Sequence, residues 1–324
     1  MAEIKGSTLF IVGSPFQCLC MLEAIDYFQI RDYDILVVYS DGMSLGKIKK
    51  LLEDKNLRYS VRHYAHIIKT VLPVIFSRHR HYKNVVLGDY FGGYEALASI
   101  YAGLGCRIHY IDDGNQALEI FSDCSRKRYK SKKIAFVFAL YNLLFRLKGG
   151  KEHIFFTIYP VETDRYEIVH NGFQHLKGAT CGEKSGVYII GTNSSALEFK
   201  DVTYDEMMRK LTENIKARFP GEKILYCPHR RDRNNEQVFA LCSELGIDIY
   251  NTEVSVEYDF ASKGFNPSLI VGFTSNALYA LRMIYPESEI ETVLYHLQDE
   301  RADESTAVIV EGMKKVGIKA IDII

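Results

Sequence analysis

Four short polar stretches follow apolar runs in the sequence, and each contains side chains that can do acid–base chemistry or bind an anion. They are Asp112-Asp113-Gly114, Gly191-Thr192-Asn193-Ser194-Ser195, Pro228-His229-Arg230-Arg231 and Thr274-Ser275-Asn276. Ligands of open parallel α/β sheets bind beyond the carboxyl ends of the strands. All four stretches therefore lie where a functional site is expected.

The adjacent carboxylates Asp112 and Asp113 can supply a general base. Because neighbouring carboxylates repel each other, one of them holds its proton more readily and can titrate closer to neutral pH. A simple turn, in which Asp side chains bond to nearby backbone, gives the same pattern. The motif alone leaves both interpretations open.

The other three stretches are rich in groups that bind anions. His229 with its two arginines is a concentrated donor set for a phosphate or carboxylate. The hydroxyls of Thr274 and Ser275 stand at a predicted helix start, where they can bind an anion or only cap the helix. Residues 191–195 are small, which lets a nucleotide approach the backbone. An acidic base in one domain and an anion site in another describe a group transferase.

The elements that would position these stretches alternate between β-branched apolar runs and helical patterns, which is typical of parallel sheets covered on both faces. Ser14 and Pro15 are suited to the N-cap and first position of a helix. We predict strands at 7–14, 34–40, 84–89, 107–112, 187–191, 223–227, 247–250, 269–273 and 292–295, and helices at 15–28, 44–55, 94–103, 204–218, 236–245 and 275–284.

The length of 324 residues predicts two domains, at roughly 150 residues for each. The strand and helix pattern restarts after a polar stretch at 178–186, which we interpret as a linker. We therefore predict two doubly wound α/β domains that face each other across a cleft, with bounds 1–180 and 181–324. Whether a C-terminal helix crosses back to the first domain stays open.

Composition excludes several classes of protein. The formal net charge of −1 argues against a nucleic-acid binder. The chain has seven cysteines, an odd number, which favours reduced thiols in a cytoplasmic protein. The N-terminus has no signal-peptide pattern, and no apolar run approaches the roughly 20 residues that span a bilayer. Neither a P-loop nor a GxGxxG motif follows the first strand. The acidic pair also lacks the Asp-x-Asp spacing of a divalent metal site.

The segment 125–151 differs from the rest of the chain. Residues 125–133 contain six basic residues in nine, and a 12-residue apolar run follows them. A basic flank before a short apolar helix can lie at a membrane surface and favour anionic lipid. A core helix behind a solvated basic loop explains the segment equally well.

Taken together and in order, the motifs resemble those of bacterial sialyltransferases and polysialyltransferases. The acidic pair followed by Gly114 resembles their acidic-acidic-Gly motif, His229 resembles the histidine of their His-Pro motif, and Thr274-Ser275 resembles their Ser-Ser/Thr motif. The opening IVGSPFQCLCMLEAI, which contains Gln17, also looks like the N-terminus of these enzymes. The resemblance extends from residue 8 to about residue 296.

This resemblance implies a GT-B fold, an N-terminal domain that binds the acceptor and a C-terminal domain that binds a CMP-activated nonulosonic acid, typically CMP-sialic acid. It also implies inverting transfer without a metal or other cofactor. Asp113 would deprotonate the acceptor hydroxyl with support from Asp112, and His229 would stabilise the departing phosphate. The resemblance also implies that Thr274 and Ser275 hold this phosphate and that Glu257 binds the ribose hydroxyls of CMP. Independently of the resemblance, positions near the strand ends predict donor contacts from Gly191, Thr192, Asn193, Ser194, Pro228 and Arg230, and acceptor contacts from Gln17 and Asp89.

The implied acceptor is a sugar hydroxyl of a bacterial surface glycan, such as a lipooligosaccharide, O-antigen or capsule precursor, at the cytoplasmic face of the membrane.

The sequence departs from the family motifs at two places. Pro228 precedes the histidine here, whereas proline follows it in the family, and threonine replaces the first serine of the pair. Other CMP-activated acids, such as Kdo or legionaminic acid, would use the same phosphate chemistry. Two further alternatives are a GT-B transferase or epimerase that uses another nucleotide sugar, and a non-catalytic partner that binds nucleotide or glycan in capsule assembly.

Overall fold

The computed structural model describes residues 3–63, 80–89, 100–114, 151–164, 166–177, 183–229, 232 and 235–323, together with residues 98, 118, 143, 146, 147 and 149. The chain divides into two compact units, Met1–His175 and Leu176–Ile324. The predicted boundary at 180/181 lies outside the described residues.

The first unit is built on a sheet of seven strands. Its elements are β1 (Thr8–Val12), α1 (Pro15–Tyr27), β2 (Tyr33–Tyr39), α2 (Gly42–Asp54), β3 (Ser60–His63), β4 (Tyr82–Leu87), β5 (Ala102–Ile111), β6 (Lys151–Thr157) and β7 (Glu167–His170). The strand order is β3-β2-β1-β4-β5-β6-β7, and every neighbouring pair is parallel.

Helix α1 forms where the sequence predicted it. The Ser14 hydroxyl caps the helix by accepting a hydrogen bond from Gln17 N at 3.2 Å, and Pro15 occupies the first position. Its residues from Pro15 to Ala24 are all buried. This helix is therefore part of the core, which holds the start of α1 rigidly beside the end of β1.

Several elements of the first unit differ from the predictions. The helix predicted at 94–103 is wrong at its end, because β5 already begins at Ala102. Strands β3, β6 and β7 were not predicted. Each carries charged or imidazole side chains within a short run, as in SVRH, KEHIFFT and EIVH, so the apolar signal of a buried strand is weak.

The second unit has a sheet of six strands. Its elements are β8 (Val187–Ile190), a 3₁₀ turn (Ser194–Ala196), α3 (Tyr204–Arg218), β9 (Ile224–Cys227), α4 (Asn235–Leu245), β10 (Asp248–Ile249), α5 (Val256–Ser262), β11 (Leu269–Phe273), α6 (Asn276–Ile284), β12 (Glu289–Val293), α7 (Glu300–Lys315) and β13 (Lys319–Ile321). The order is β10-β9-β8-β11-β12-β13, again with parallel neighbours.

Helix α3 has the predicted bounds and begins with a capping box between Thr203 and Glu206. Strand β12 begins at Glu289, earlier than the predicted start at residue 292. The prediction began too late because Glu291 is charged, although its side chain is fully buried in the strand. Arg218 pairs with that carboxylate at 2.7 Å, which allows the charge to be buried. Helix α5 and strand β13 were not predicted. A C-terminal helix was expected without bounds; it is α7, which belongs to the second unit.

Both units share one topology, in which the strand order reverses between β1 and β4 and between β8 and β11. The two doubly wound parallel sheets predicted from the sequence are confirmed. Ligands of such sheets bind at the carboxyl ends of the strands beside this reversal. The loops after β1, β4 and β5, and those after β8, β9 and β11, therefore define two candidate regions, one in each unit.

Three other expectations concern thiols and membranes. The described cysteines form no disulfide and are all buried; they are Cys18, Cys20, Cys106, Cys227 and Cys242. Among the described residues, no helix is both long enough and apolar enough to cross a bilayer. Most of the segment 125–151 lies outside the described residues, and the exposed Leu143 and Leu147 belong to its described part.

Candidate functional site

The first carboxylate of the acidic pair, Asp112, follows β5 and is fully buried. Its Oδ2 accepts a hydrogen bond from Ile158 N at 2.8 Å, directly after the neighbouring strand β6, and Thr157 donates a second bond. Its Oδ1 is buried without a hydrogen-bond partner among the described residues. The end of β6 thus fixes one side of this carboxyl group and leaves one oxygen unsatisfied.

Burial raises the pKa of Asp112 to about 7, against an ordinary value of 3.8. The bonds from Thr157 and Ile158 act in the opposite direction, and the charge of Asp113 adds a smaller increase. The sequence predicts that one carboxyl of the pair holds its proton more readily. That carboxyl is Asp112, and loss of hydration contributes more than repulsion between the two charges.

We expect Asp112 to make folding stability fall as pH rises from about 4 to about 7. In this range the folded chain keeps a proton on Asp112 that the unfolded chain has released, so each pH unit weakens folding by on the order of 1.4 kcal/mol. Below pH 4 both states are protonated, and above pH 7 both are ionised. Urea unfolding of the wild-type protein and Asp112→Asn at several pH values measures the difference between their free energies of unfolding.

The amide of Asp112→Asn does not titrate. The free energy of unfolding of the wild type minus that of the variant should therefore decline between pH 4 and pH 7 and then level off. A difference that is flat or rises over this range would contradict the raised pKa of Asp112.

The second carboxylate, Asp113, is half-buried and bonded to Gln17. Gln17 Nε2 donates to Asp113 Oδ1, while Gln17 Oε1 accepts from Gly13 N at 2.6 Å. The buried Gln17 side chain also lies against Gly88, after β4, where an added Cβ would stand 2.7 Å from Gln17 Oε1. Only glycine leaves this space free.

The Gln17 amide therefore bridges the ends of β1 and β5 and holds one oxygen of Asp113. Asp89, half-buried, follows Gly88 at the end of β4. Contacts of Gln17 and Asp89 with an acceptor stay predictions.

In the second unit, the loop after β8 begins at a glycine that packs tightly on β9. A Cβ at Gly191 would collide with the Tyr226 hydroxyl and stand 2.9 Å from the Cys227 carbonyl oxygen. Gly191 N donates to that same oxygen at 2.9 Å. Beyond it, Thr192 and Asn193 are half-buried and Ser194 is buried. The backbone of this loop is thus seated directly on the end of β9.

Pro228 and His229 follow β9 and are both half-buried. Arg230 and Arg231, predicted as part of the anion site, lie outside the described residues. Since β8 and β9 are neighbours in the sheet, His229 emerges at the same edge as the loop that begins at Gly191.

The hydroxyl pair after β11 is partly engaged by the protein itself. Ser275 is the N-cap of α6, and its Oγ accepts a bond from Ala277 N at 3.3 Å. Thr274 Oγ1 shares a hydrogen bond with the Tyr295 hydroxyl, which lies after the neighbouring strand β12. Burial raises the pKa of Tyr295, and Thr306 offers it a further bond. The capping interpretation of Ser275 is observed, whereas phosphate binding by either hydroxyl stays a prediction.

Glu257 lies in the first turn of α5 and is buried. The loop before this helix is held by Asp259, whose carboxylate accepts bonds from Glu253 N at 2.6 Å and Val254 N at 3.1 Å. Helix α5 contacts α6, which begins at Ser275. Contact of Glu257 with the ribose hydroxyls of CMP stays a prediction.

The structure brings several of the predicted residues of each unit to the strand ends. In the first unit, Gln17 contacts Gly88 and Asp113, and Asp112 directly precedes Asp113. In the second unit, the loops after the neighbouring strands β9, β8 and β11 begin at the same edge of the sheet. Sequence reasoning missed the residues that hold these groups in place: Thr157, Ile158, Asp232 and Tyr295. Correct prediction of the ends of β6 and β12 could have pointed to Thr157, Ile158 and Tyr295, because these residues lie at or just after those strand ends.

Across the parts of the chain that the structure describes, no group of three or more His, Cys, Asp or Glu side chains could hold a metal ion. Independence of a metal stays a prediction.

Two doubly wound parallel sheets in one chain define the GT-B fold. An α/β-galactoside α-2,3-sialyltransferase from Photobacterium phosphoreum shares it with a TM-score of 0.55 at 11% identity, over 98% of this chain and 99% of that one. The GT-B domain of a sialyltransferase from Photobacterium damselae gives a TM-score of 0.54 at 11% identity, over 97% and 99% of the two chains.

A UDP-GlcNAc 2-epimerase from Methanocaldococcus jannaschii gives a TM-score of 0.53 at 12% identity, over 96% and 92% of the two chains. No protein-family model and no curated sequence matches the chain. The GT-B fold implied by the resemblance to sialyltransferases is confirmed, and at such identities the similarity establishes the fold alone.

Proposed function

We propose that the protein is an inverting glycosyltransferase that moves a sialic acid from CMP-sialic acid to a sugar hydroxyl. The observation that carries this proposal is the acidic pair at the end of β5, in which a buried Asp112 lies beside an Asp113 that Gln17 orients. A protein that only binds nucleotide or glycan has no need of a base. In the second unit, His229 follows β9 and the Thr274 and Ser275 hydroxyls follow β11, the two strands on either side of β8.

In the proposed reaction, Asp113 takes the proton of the acceptor hydroxyl as that oxygen attacks the anomeric carbon of the donor. A new carbon–oxygen bond forms, and the bond from the anomeric carbon to the CMP phosphate breaks. Its electron pair leaves on the phosphate oxygen, which His229 stabilises or protonates. Stabilising the charge that grows on the leaving group lowers the barrier.

Support for the CMP donor comes from the order of the three motifs and from the fold shared with two sialyltransferases. The leaving group is a monophosphate, for which a histidine with the Thr274 and Ser275 hydroxyls is a sufficient set of hydrogen-bonding partners. We further propose a bacterial surface-glycan precursor as the acceptor, with contact to anionic lipid through the segment 125–151.

Calorimetric titration with CMP, UDP and GDP, each with and without Mg²⁺, tests the donor class. We expect CMP to bind at least about ten-fold more tightly than the other two, a difference of about 1.4 kcal/mol, with no dependence on Mg²⁺. A preference for UDP or GDP would overturn the CMP donor.

The epimerase that shares the fold makes a UDP-sugar enzyme the second candidate. If UDP binds best, incubation with a UDP-sugar followed by analysis of the sugar separates the remaining options. An epimerised sugar identifies an epimerase, and transfer to an added glycan identifies a transferase with another donor.

A further inference from the structure

Asp232 connects the two loops that carry the proposed donor site. Its side chain is buried, and its carboxylate accepts two hydrogen bonds from the loop after β8. Asp232 Oδ2 accepts from Ser194 Oγ at 2.8 Å, and Asp232 Oδ1 accepts from Ser195 N at 3.1 Å. Both oxygens are therefore used to hold one short stretch of backbone.

The backbone of the same residue is tied to the loop after β9. Asp232 N donates to the His229 carbonyl oxygen at 3.1 Å, so the main chain of Asp232 is held beside that of His229. A change in the Asp232 side chain removes its bonds to the loop after β8, whereas the bond to His229 is made by the main chain. The two loops belong to adjacent strands, so the contact spans the edge where an anion is expected to bind.

We propose that Asp232 is a positioning residue, which fixes the loop at 191–195 beside His229 and thereby shapes the phosphate site of the donor. This inference rests on the proposed function. A carboxylate repels a phosphate, and both oxygens of Asp232 already accept hydrogen bonds within the protein. We therefore expect Asp232 to act through Ser194 and the Ser195 amide and not by direct contact with the phosphate. The 3₁₀ turn that begins at Ser194 is the element it locks.

Replacement by alanine and by asparagine separates position from charge. Asp232→Ala removes both side-chain bonds, and we expect the CMP dissociation constant and the KM of the donor to rise about ten-fold, with kcat within about three-fold. In Asp232→Asn, the amide oxygen can accept from Ser195 N and the amide nitrogen can donate to Ser194 Oγ. We expect this variant to stay within about three-fold of the wild-type dissociation constant.

Asp299 provides a matched control in the same unit. As the N-cap of α7, its carboxylate accepts from Arg301 N at 2.9 Å and from Ala302 N at 3.0 Å. Asp299→Ala also removes two bonds from an aspartate and lowers the melting temperature, but we expect unchanged CMP binding. The melting temperatures of all three variants show which losses come from stability alone.

Either of two results with the variants would overturn the role of Asp232. One is an Asp232→Ala protein that is less stable yet binds CMP as the wild type does. The other is an Asp232→Asn protein as weak as Asp232→Ala, which would mean that charge and not position matters. UDP is titrated beside CMP: a wild-type preference for UDP overturns the proposed donor, while a ten-fold loss of UDP affinity in Asp232→Ala still supports the positioning role. A wild-type protein that binds neither nucleotide overturns both.

Discussion

Asp113→Asn is expected to lower the rate of sugar transfer by about 10³-fold while the dissociation constant for CMP stays within about three-fold. The substitution keeps the shape of the side chain and an oxygen that can accept the Gln17 bond, so the local packing is preserved. It removes the one property that the proposed mechanism requires, the ability to take a proton from the acceptor hydroxyl. Transfer from CMP-sialic acid to a glycan acceptor and calorimetry with CMP measure the two quantities.

Asp54, an exposed aspartate of α2, provides the control, and Asp54→Asn should transfer sugar at the wild-type rate. Full activity of Asp113→Asn would refute the assignment of this residue as the base. Comparison with Asp112→Asn then decides which carboxyl acts, because the two side chains differ in burial and in hydrogen-bond partners.

His229→Ala is expected to lower kcat by about 10²-fold, the effect of losing one group that stabilises a developing negative charge. CMP should also bind about ten-fold more weakly, because a charge-assisted hydrogen bond to the phosphate is lost. The position at the end of β9 makes this histidine the leading candidate for contact with the departing phosphate in the second unit. Steady-state kinetics and CMP titration provide both values.

An exposed histidine of the same unit, His296, serves as the control, since among the described residues its ring is bonded to Asp303 alone, at the surface. His296→Ala should leave kcat and CMP affinity unchanged. Partial recovery of His229→Ala by added imidazole would support proton donation by the ring. Wild-type kinetics in His229→Ala would show that the phosphate is stabilised by other groups.

Much of the fold follows from patterns that the sequence displays openly. Strand β11 is a run of five buried residues, LIVGF, between polar neighbours, and α3 carries its own capping box. Such segments have strong local signals, and their order predicts parallel sheets with functional loops at the strand ends. Fold class and the location of the candidate residues could therefore be predicted before any coordinates.

Local signals failed where tertiary contacts change the environment of a charged side chain. The start of β12 was misplaced because the carboxylate of Glu291 is buried against Arg218, 73 residues earlier in the chain. Strand β6 begins with Lys151 and Glu152, so its apolar half is too short to indicate a strand alone. Ion pairs between distant residues are invisible to periodicity.

The contacts that shape the candidate site were equally out of reach. Gln17 and Asp113 are separated by 96 residues, and Ser194 and Asp232 by 38. The sheet order brings the start of α1 near the end of β5, and the loop after β8 near the chain that follows β9. The particular hydrogen bonds that form depend on side-chain geometry, which local sequence patterns do not predict.

The fold by itself does not decide the reaction. Sialyltransferases and a UDP-GlcNAc 2-epimerase share it with this chain at TM-scores of 0.55, 0.54 and 0.53. An activity must therefore be argued from the side chains at the strand ends, and Asp113 and His229 are the two whose substitution separates the candidate functions most sharply.

The strand order of the two sheets also bears on how the chain reaches its native state. Thr8 of β1 pairs with Asn84 of β4, 76 residues further on, and Val187 of β8 pairs with Leu269 of β11. Pairings of such long range form slowly, because a long loop must close before any contact compensates for the lost chain entropy. Strands β1 and β8 can therefore pair with β4 and β11 only after those later segments have been synthesised, so the strand ends that bear Asp113 and His229 are completed late in the folding of each unit.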